Sequence, residues 1–156
     1  MIEKNLEHAI ITAIERLELP NIQILGLWQP SATGALKGKQ EEDATATLVL
    51  KIPPKSFDTF GICEVTMDVD LALSVRVEKD VDGEMLLRYV EPISNLLDRW
   101  NMSAEHDELE DLITEDFYPG GVKVNGGTGP IYDSQSKTWT VTYTFTVRGL
   151  LQHEHN

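Results

Sequence analysis

The chain is poor in cysteine, in basic residues and in long apolar runs, and each shortage removes a class of function. Cys63 is the single cysteine among 156 residues, so no internal disulfide can form and no cysteine cluster can hold a metal. Its expected role is that of a small hydrophobe in or beside a strand. No apolar stretch reaches the ~18–20 residues that span a bilayer as a helix, and no membrane partner is expected. The opening MIEKNLEHAIITAIERL alternates charged and apolar residues where a secretory signal carries an unbroken apolar segment. Export by that route is therefore not expected.

Lysine and arginine number 13 against 26 aspartates and glutamates, a formal net charge of −13. Such a surface repels phosphate backbones, and no basic cluster with interleaved aromatics opposes that repulsion. Sequence-specific nucleic-acid binding is not expected, although an acidic wall past which DNA slides unbound is compatible with the same charge. What is present points to folding: 41% of residues are apolar and several segments are clearly periodic, which argues against disorder. The length suits one domain over residues 1–156, and the chain shows no repeats and no second-domain linker.

The clearest segment is KTWTVTYTFTVRGL, Lys137–Leu150. Trp139, Val141, Tyr143, Phe145 and Val147 take every second position, and threonines at 138, 140, 142, 144 and 146 fill the gaps. Side chains on a strand alternate between faces, so this is a long strand with one apolar and one hydroxyl face. Ile62–Lys79 repeats the pattern, with Val65, Met67, Val69, Leu71, Leu73, Val75 and Val77 set against a polar face that includes Asp68 and Asp70. Ala44–Ile52 is a shorter strand closed by Pro53 and Pro54, and Asn21–Trp28 another, in which Gly26 marks a bulge or bend.

Two segments carry helical spacing instead. Ile2, Leu6, Ala9, Ile10, Ala13, Ile14 and Leu17 form one stripe, with Glu3, Lys4, Glu7, Glu15 and Arg16 elsewhere on the wheel and Pro20 as the stop. Met85 to Trp100 form a second, with Asp82 as N-cap and a kink or restart expected near Glu91 because Pro92 lacks an amide donor. Pro30–Asp43 has no periodicity and is expected to be a mobile loop or an arm ordered by a neighbouring subunit. Acidic Ser103–Leu112 is expected to be a short helical turn capped by Ser103, and Gln152–Asn156 a frayed tail. The resulting order of helix, three strands, helix and two strands predicts an α+β fold, an antiparallel sheet with two main helices packed on one face.

No constellation of residues supports catalysis. The glycines between Gly120 and Gly129 have no Gly-Lys-Ser/Thr after them, so a turn or bulge is expected rather than a phosphate loop. Asp80, Asp82 and Glu84 flank Gly83 at the wrong offsets for a calcium loop. His106 with its acidic neighbours lacks a second histidine at metal-ligand spacing. No nucleophile elbow, cofactor motif or metal motif is present, so no enzyme activity, cofactor or metal is expected. Asp68 and Asp70 share a strand face; exposed they are a polar surface, and buried one would have to be protonated. The threonine face either keeps a long strand soluble or packs on a neighbouring subunit.

The opening helix Ile2–Leu17, the long hairpin Ala44–Lys79, the helix ending in Leu96-Leu97-Asp-Arg-Trp100 and the closing strand with Arg148-Gly149 resemble, in order and kind, the tail-terminator and tail-completion proteins of long-tailed bacteriophages and prophages. That resemblance implies a structural protein of the virion tail or neck, assembled in the bacterial host cytoplasm as a homo-oligomeric ring, often of six subunits. The ring would cap the tail tube between a tail-tube protein and a head–neck connector protein. Its interface would draw on Asp68, Asp70, Thr140, Thr142 and Thr144. The alternative is a small non-enzymatic ligand- or protein-binding α+β module, monomeric or dimeric, with a small ligand held between sheet and helices.

Overall fold

The computed structural model describes residues 2–28, 44–53, 64–76, 83–102 and 106–152. The loop expected at 30–43, Cys63, Asp80 and Asp82, the Ser103 cap and residues 153–156 lie outside the described residues. The elements, in chain order, are α1 (Ile2–Glu15), β1 (Ile22–Gly26), β2 (Ala46–Lys51), β3 (Glu64–Arg76), α2 (Glu84–Met102), a 3-10 helix (His106–Leu112), β4 (Phe117–Asp133) and β5 (Thr138–Leu151). The fold is α+β, as expected, with one five-stranded sheet in the order β1-β2-β3-β5-β4 and both main helices on one of its faces.

The sheet is mixed rather than purely antiparallel. β1 runs parallel to β2, with Ile22 opposite Ala46 and Gly26 opposite Leu50, while the other three pairings are antiparallel. Period-2 alternation decides which residues face the core but not the direction of the neighbouring strand, so the sequence pattern reads the same either way.

Alternation sorts the residues cleanly. Leu48, Leu50, Val65, Met67, Val69, Leu71, Leu73, Val75, Val141, Phe145 and Val147 are buried under the helices. They meet Leu6, Ile10 and Ile14 of α1 and Tyr89, Ile93, Leu97 and Trp100 of α2. Trp100 lies against Phe145 with ring centroids 6.2 Å apart and planes inclined at 52°, an arrangement aromatic pairs favour. The buried Tyr89 hydroxyl donates to the Pro20 carbonyl, which ties α2 to the turn after α1.

Three local features need the structure to settle them. Of the turn or bulge expected at Gly120–Gly129, the structure has bulges: the stretch lies inside the 17-residue strand β4, paired with β5 and interrupted by register shifts at Pro119/Gly121, Val124/Gly126 and Thr128/Ile131. Glycine-rich sequence signals a turn because it loses most entropy on ordering, yet here a bulged strand holds it against β5. Second, α2 does not restart near Glu91 but continues as one helix from Glu84 to Met102 across Pro92. Packing of Tyr89, Ile93, Leu96 and Leu97 into the core outweighs one missing backbone bond. Third, Glu3 and Glu7, off the apolar stripe of α1, are buried with it.

Gln152 is anchored: its amide donates to the Asp116 carbonyl at 2.9 Å, and its side-chain nitrogen donates to the carbonyls of Thr114 and Phe117, each at 3.2 Å.

Candidate functional site

The sheet face away from the helices collects Asp68, Asp70 and the three threonines named for an interface, while the Pro30–Asp43 arm lies outside the described residues. Asp70 of β3 pairs with Thr144 of β5, Asp68 with Thr146, Ala72 with Thr142 and Ser74 with Thr140. Paired residues of adjacent strands point to the same face, so Asp68, Asp70, Thr140, Thr142 and Thr144 form one contiguous surface. Lys51 extends the Asp70 row on one side and Gly126 on the other. Asp68 and Asp70 are both exposed, which removes the buried carboxylate pair with its shared proton. The threonines are partly exposed.

Hydroxyls on this face bond to one another across strands. Ser74 Oγ and Thr140 Oγ1 are 3.5 Å apart, and Thr142 Oγ1 accepts the Thr128 amide at 3.0 Å while also meeting the Thr128 hydroxyl. Charge on the face is balanced. By register it carries Lys51, Arg76, Lys123 and Arg148 against Glu64, Asp68, Asp70 and Asp133 among the described residues. Arg148 and Glu64 form an ion pair there, and a shallow depression of about 510 Å³ opens beside them over Gly120 and Gly121. The whole chain carries −13, so the excess acid lies elsewhere. Part of it is on the helix side, at Glu3, Glu7, Glu84, Glu91, Asp98, Glu110 and Asp111.

A second feature lies on the helix side, between α2 and the outer strand β4. Val90, Ser94 and Asp98 lie one helical turn apart along the side of α2 that borders β4. On β4 the residues sharing the core face run Val122, Val124, Gly127 and Tyr132, opposite Val147, Phe145, Tyr143 and Trp139. The valines fill the space against the core, but Gly127 presents no side chain. A groove of about 340 Å³ opens there, floored by Val141 and Tyr143. Gly127 cannot be otherwise, since a Cβ would lie 2.0 Å from the Thr142 carbonyl oxygen. Tyr143 and Ser94 meet hydroxyl to hydroxyl at 3.3 Å inside the groove. Burial pushes the Tyr143 pKa up and the Ser94 contact pulls it back, so the phenol is neutral across the physiological range.

Both strands at the sheet margins are poorly suited to adding another strand. β4 contains Pro119 and Pro130, which lack amide donors, and its three register shifts interrupt any continuous ladder. The Val124 amide donates to Asn101 Oδ1 at 2.8 Å and is thus held by a side chain. β1 has only five residues.

The sequence signal for the helix-free face is the threonine alternation itself. The groove has no such signal, because it depends on which residues of α2 lie opposite glycines some thirty positions later. The carboxylate of Glu7 is equally silent: it accepts the Trp28 amide through both oxygens, at 2.9 and 3.1 Å, beside Gly26.

No protein-family model matches the chain, and no curated protein matches it. Among solved structures, it is similar to a protein from Akkermansia muciniphila at TM-score 0.37 and 13% identity, covering 98% of this chain and 77% of that one. It is also similar to a protein from the same organism solved without its transmembrane region, at TM-score 0.38 and 12% identity, covering 98% of this chain and 84% of that one. The expected membership among phage tail-terminator proteins, and with it the hexameric ring and the virion role, finds no support in these comparisons and is withdrawn. That expectation rested on element order alone, which unrelated α+β sheets share. Likeness at this level carries no function to the chain.

Proposed function

We propose that the chain is a small non-catalytic binding module that meets a protein partner through the helix-free face of its sheet. The observation that carries this reading is the charge balance of that face in a chain of net −13. A surface of threonines, serine and alanine, with exposed Ile131 and Leu150 and with offset acids and bases, can approach another protein without the repulsion that the rest of the chain would impose. The hydroxyls of Ser74 and Thr140 and of Thr128 and Thr142 meet across strands, so covering them leaves few of those polar groups unsatisfied. The five residues Asp68, Asp70, Thr140, Thr142 and Thr144 are the centre of the contact.

Site-specific photo-crosslinking tests this. A crosslinking residue at Thr144 is expected to capture one protein species in the source cells, while the same residue at Asn95, exposed on the outer side of α2, is not. Equal capture from both positions, or none from Thr144, refutes the helix-free face as the contact.

A further inference from the structure

We propose that the groove between α2 and β4 is a binding site for a small organic cation with an aromatic or branched apolar body, of the arylalkylamine class. The site opens between α2 and β4, shares only Gly126, Thr128 and Thr142 of its lining with the helix-free face, and needs no protein partner, so it stands or falls separately. Its volume, about 340 Å³, lies within the range of small-molecule sites, roughly 300–1,000 Å³. Its walls divide by chemistry as such sites do. Val90, Val141 and the ring of Tyr143 offer apolar contact, the Ser94–Tyr143 hydroxyl pair offers a fixed polar point, and Asp98 is the one charged side chain on the lining.

Asp98 decides the sign of the ligand. It is exposed, and neither ion pair among the described residues involves it, so its carboxylate is open to an incoming ammonium. The opposite wall, Gly126 to Pro130, offers peptide groups with little side-chain cover. Carbonyls there can accept N–H bonds from the same ammonium, whereas an anion would face a carboxylate within a chain of net −13. Gly127 is obligatory beside the groove, since a Cβ would lie 2.0 Å from the Thr142 carbonyl oxygen of β5.

Three probes of one shape test the assignment on the intact chain: 2-phenylethylamine, 2-phenylethanol and 3-phenylpropionate, titrated while the amide and side-chain resonances of Val90, Val141 and Tyr143 are followed. The amine is expected to shift these resonances saturably with a dissociation constant on the order of millimolar. It should bind about two- to five-fold tighter than the alcohol at low salt, a margin that high salt removes because Asp98 is solvated. The propionate should bind weakest. Asp98→Asn should lower amine affinity to that of the alcohol, and Ser94→Leu, which fills the groove from a helix position, should abolish binding of all three. Circular dichroism of both variants establishes that they fold. Absence of saturation by the amine, alcohol binding as tight as amine binding at low salt, or shifts unchanged in Ser94→Leu each overturn the site.

Discussion

Glu7 of α1 and Trp28, just beyond β1, are joined by a single amide that both carboxylate oxygens accept, at 3.1 and 2.9 Å. Trp28 in turn donates its indole N–H to the Ile52 carbonyl at 2.7 Å, so one carboxylate links the first helix to the ends of two strands. Gly26 makes room for it, since a Cβ there would lie 2.7 Å from the carboxylate.

Burial pushes the Glu7 pKa up, and the amides of Trp28 and Leu27 pull it only part of the way back. A carboxyl whose folded pKa exceeds its unfolded value binds more protons when folded, so its unfavourable contribution is complete above the folded pKa and vanishes as pH falls below the unfolded one. The wild type is therefore expected to gain stability relative to Glu7→Gln as the pH is lowered from 7 towards 4. Paired urea titrations at several pH values measure it; a difference that is flat or of opposite sign contradicts the raised pKa.

Gly149 of β5 lies close against β4. A Cβ there would be 2.2 Å from the Tyr118 carbonyl oxygen and 2.7 Å from the Phe117 ring. Gly149→Ala is expected to destabilise by about 2–3 kcal/mol through overpacking. At Gly121 a Cβ meets nothing within 4 Å, and Gly121→Ala should stay within about 0.5 kcal/mol of wild type. Thermal denaturation of the two variants distinguishes the sites.

Asn101 closes the margin of β4 by accepting the Val124 amide at 2.8 Å. Asn101→Ala is expected to cost about 0.5–1 kcal/mol, the low end for a hydrogen bond because the site is exposed. Hydrogen exchange at Val124 should accelerate while core amides such as that of Val69 keep their protection. Unchanged exchange at Val124 would show that the bond is not what shields it.

The helix-free face should tolerate change that the core does not. Asp70→Asn and Thr144→Val are expected to leave stability within about 0.5 kcal/mol. Trp100→Ala, at a side chain 1% exposed against Phe145, should cost about 3–5 kcal/mol. If the two face variants unfold as readily as Trp100→Ala, that face is structural and not a contact surface.

Much of this architecture was written locally. Alternation from Thr138 to Val147 and from Val65 to Val75 set which residues lie under the helices, because successive side chains on a strand must point to opposite faces. The stripe from Ile2 to Ile14 marked the apolar side of α1 in the same way, and the shared face of Asp68, Asp70 and the threonines followed from parity alone. The glycines of β4 signalled a turn or a bulge, and pairing with β5 decided for bulges within a strand.

Tertiary structure decided whatever depends on residues far apart in the chain. Periodicity carries no direction, so the parallel pairing of β1 with β2 came from three dimensions. The burial of Glu7 needed the Trp28 amide beside it, and the groove needed Ser94 and Asp98 of α2 set opposite Gly127 of β4. Spacing along a chain fixes which way a side chain points; what it meets there is fixed by elements that fold against it from elsewhere.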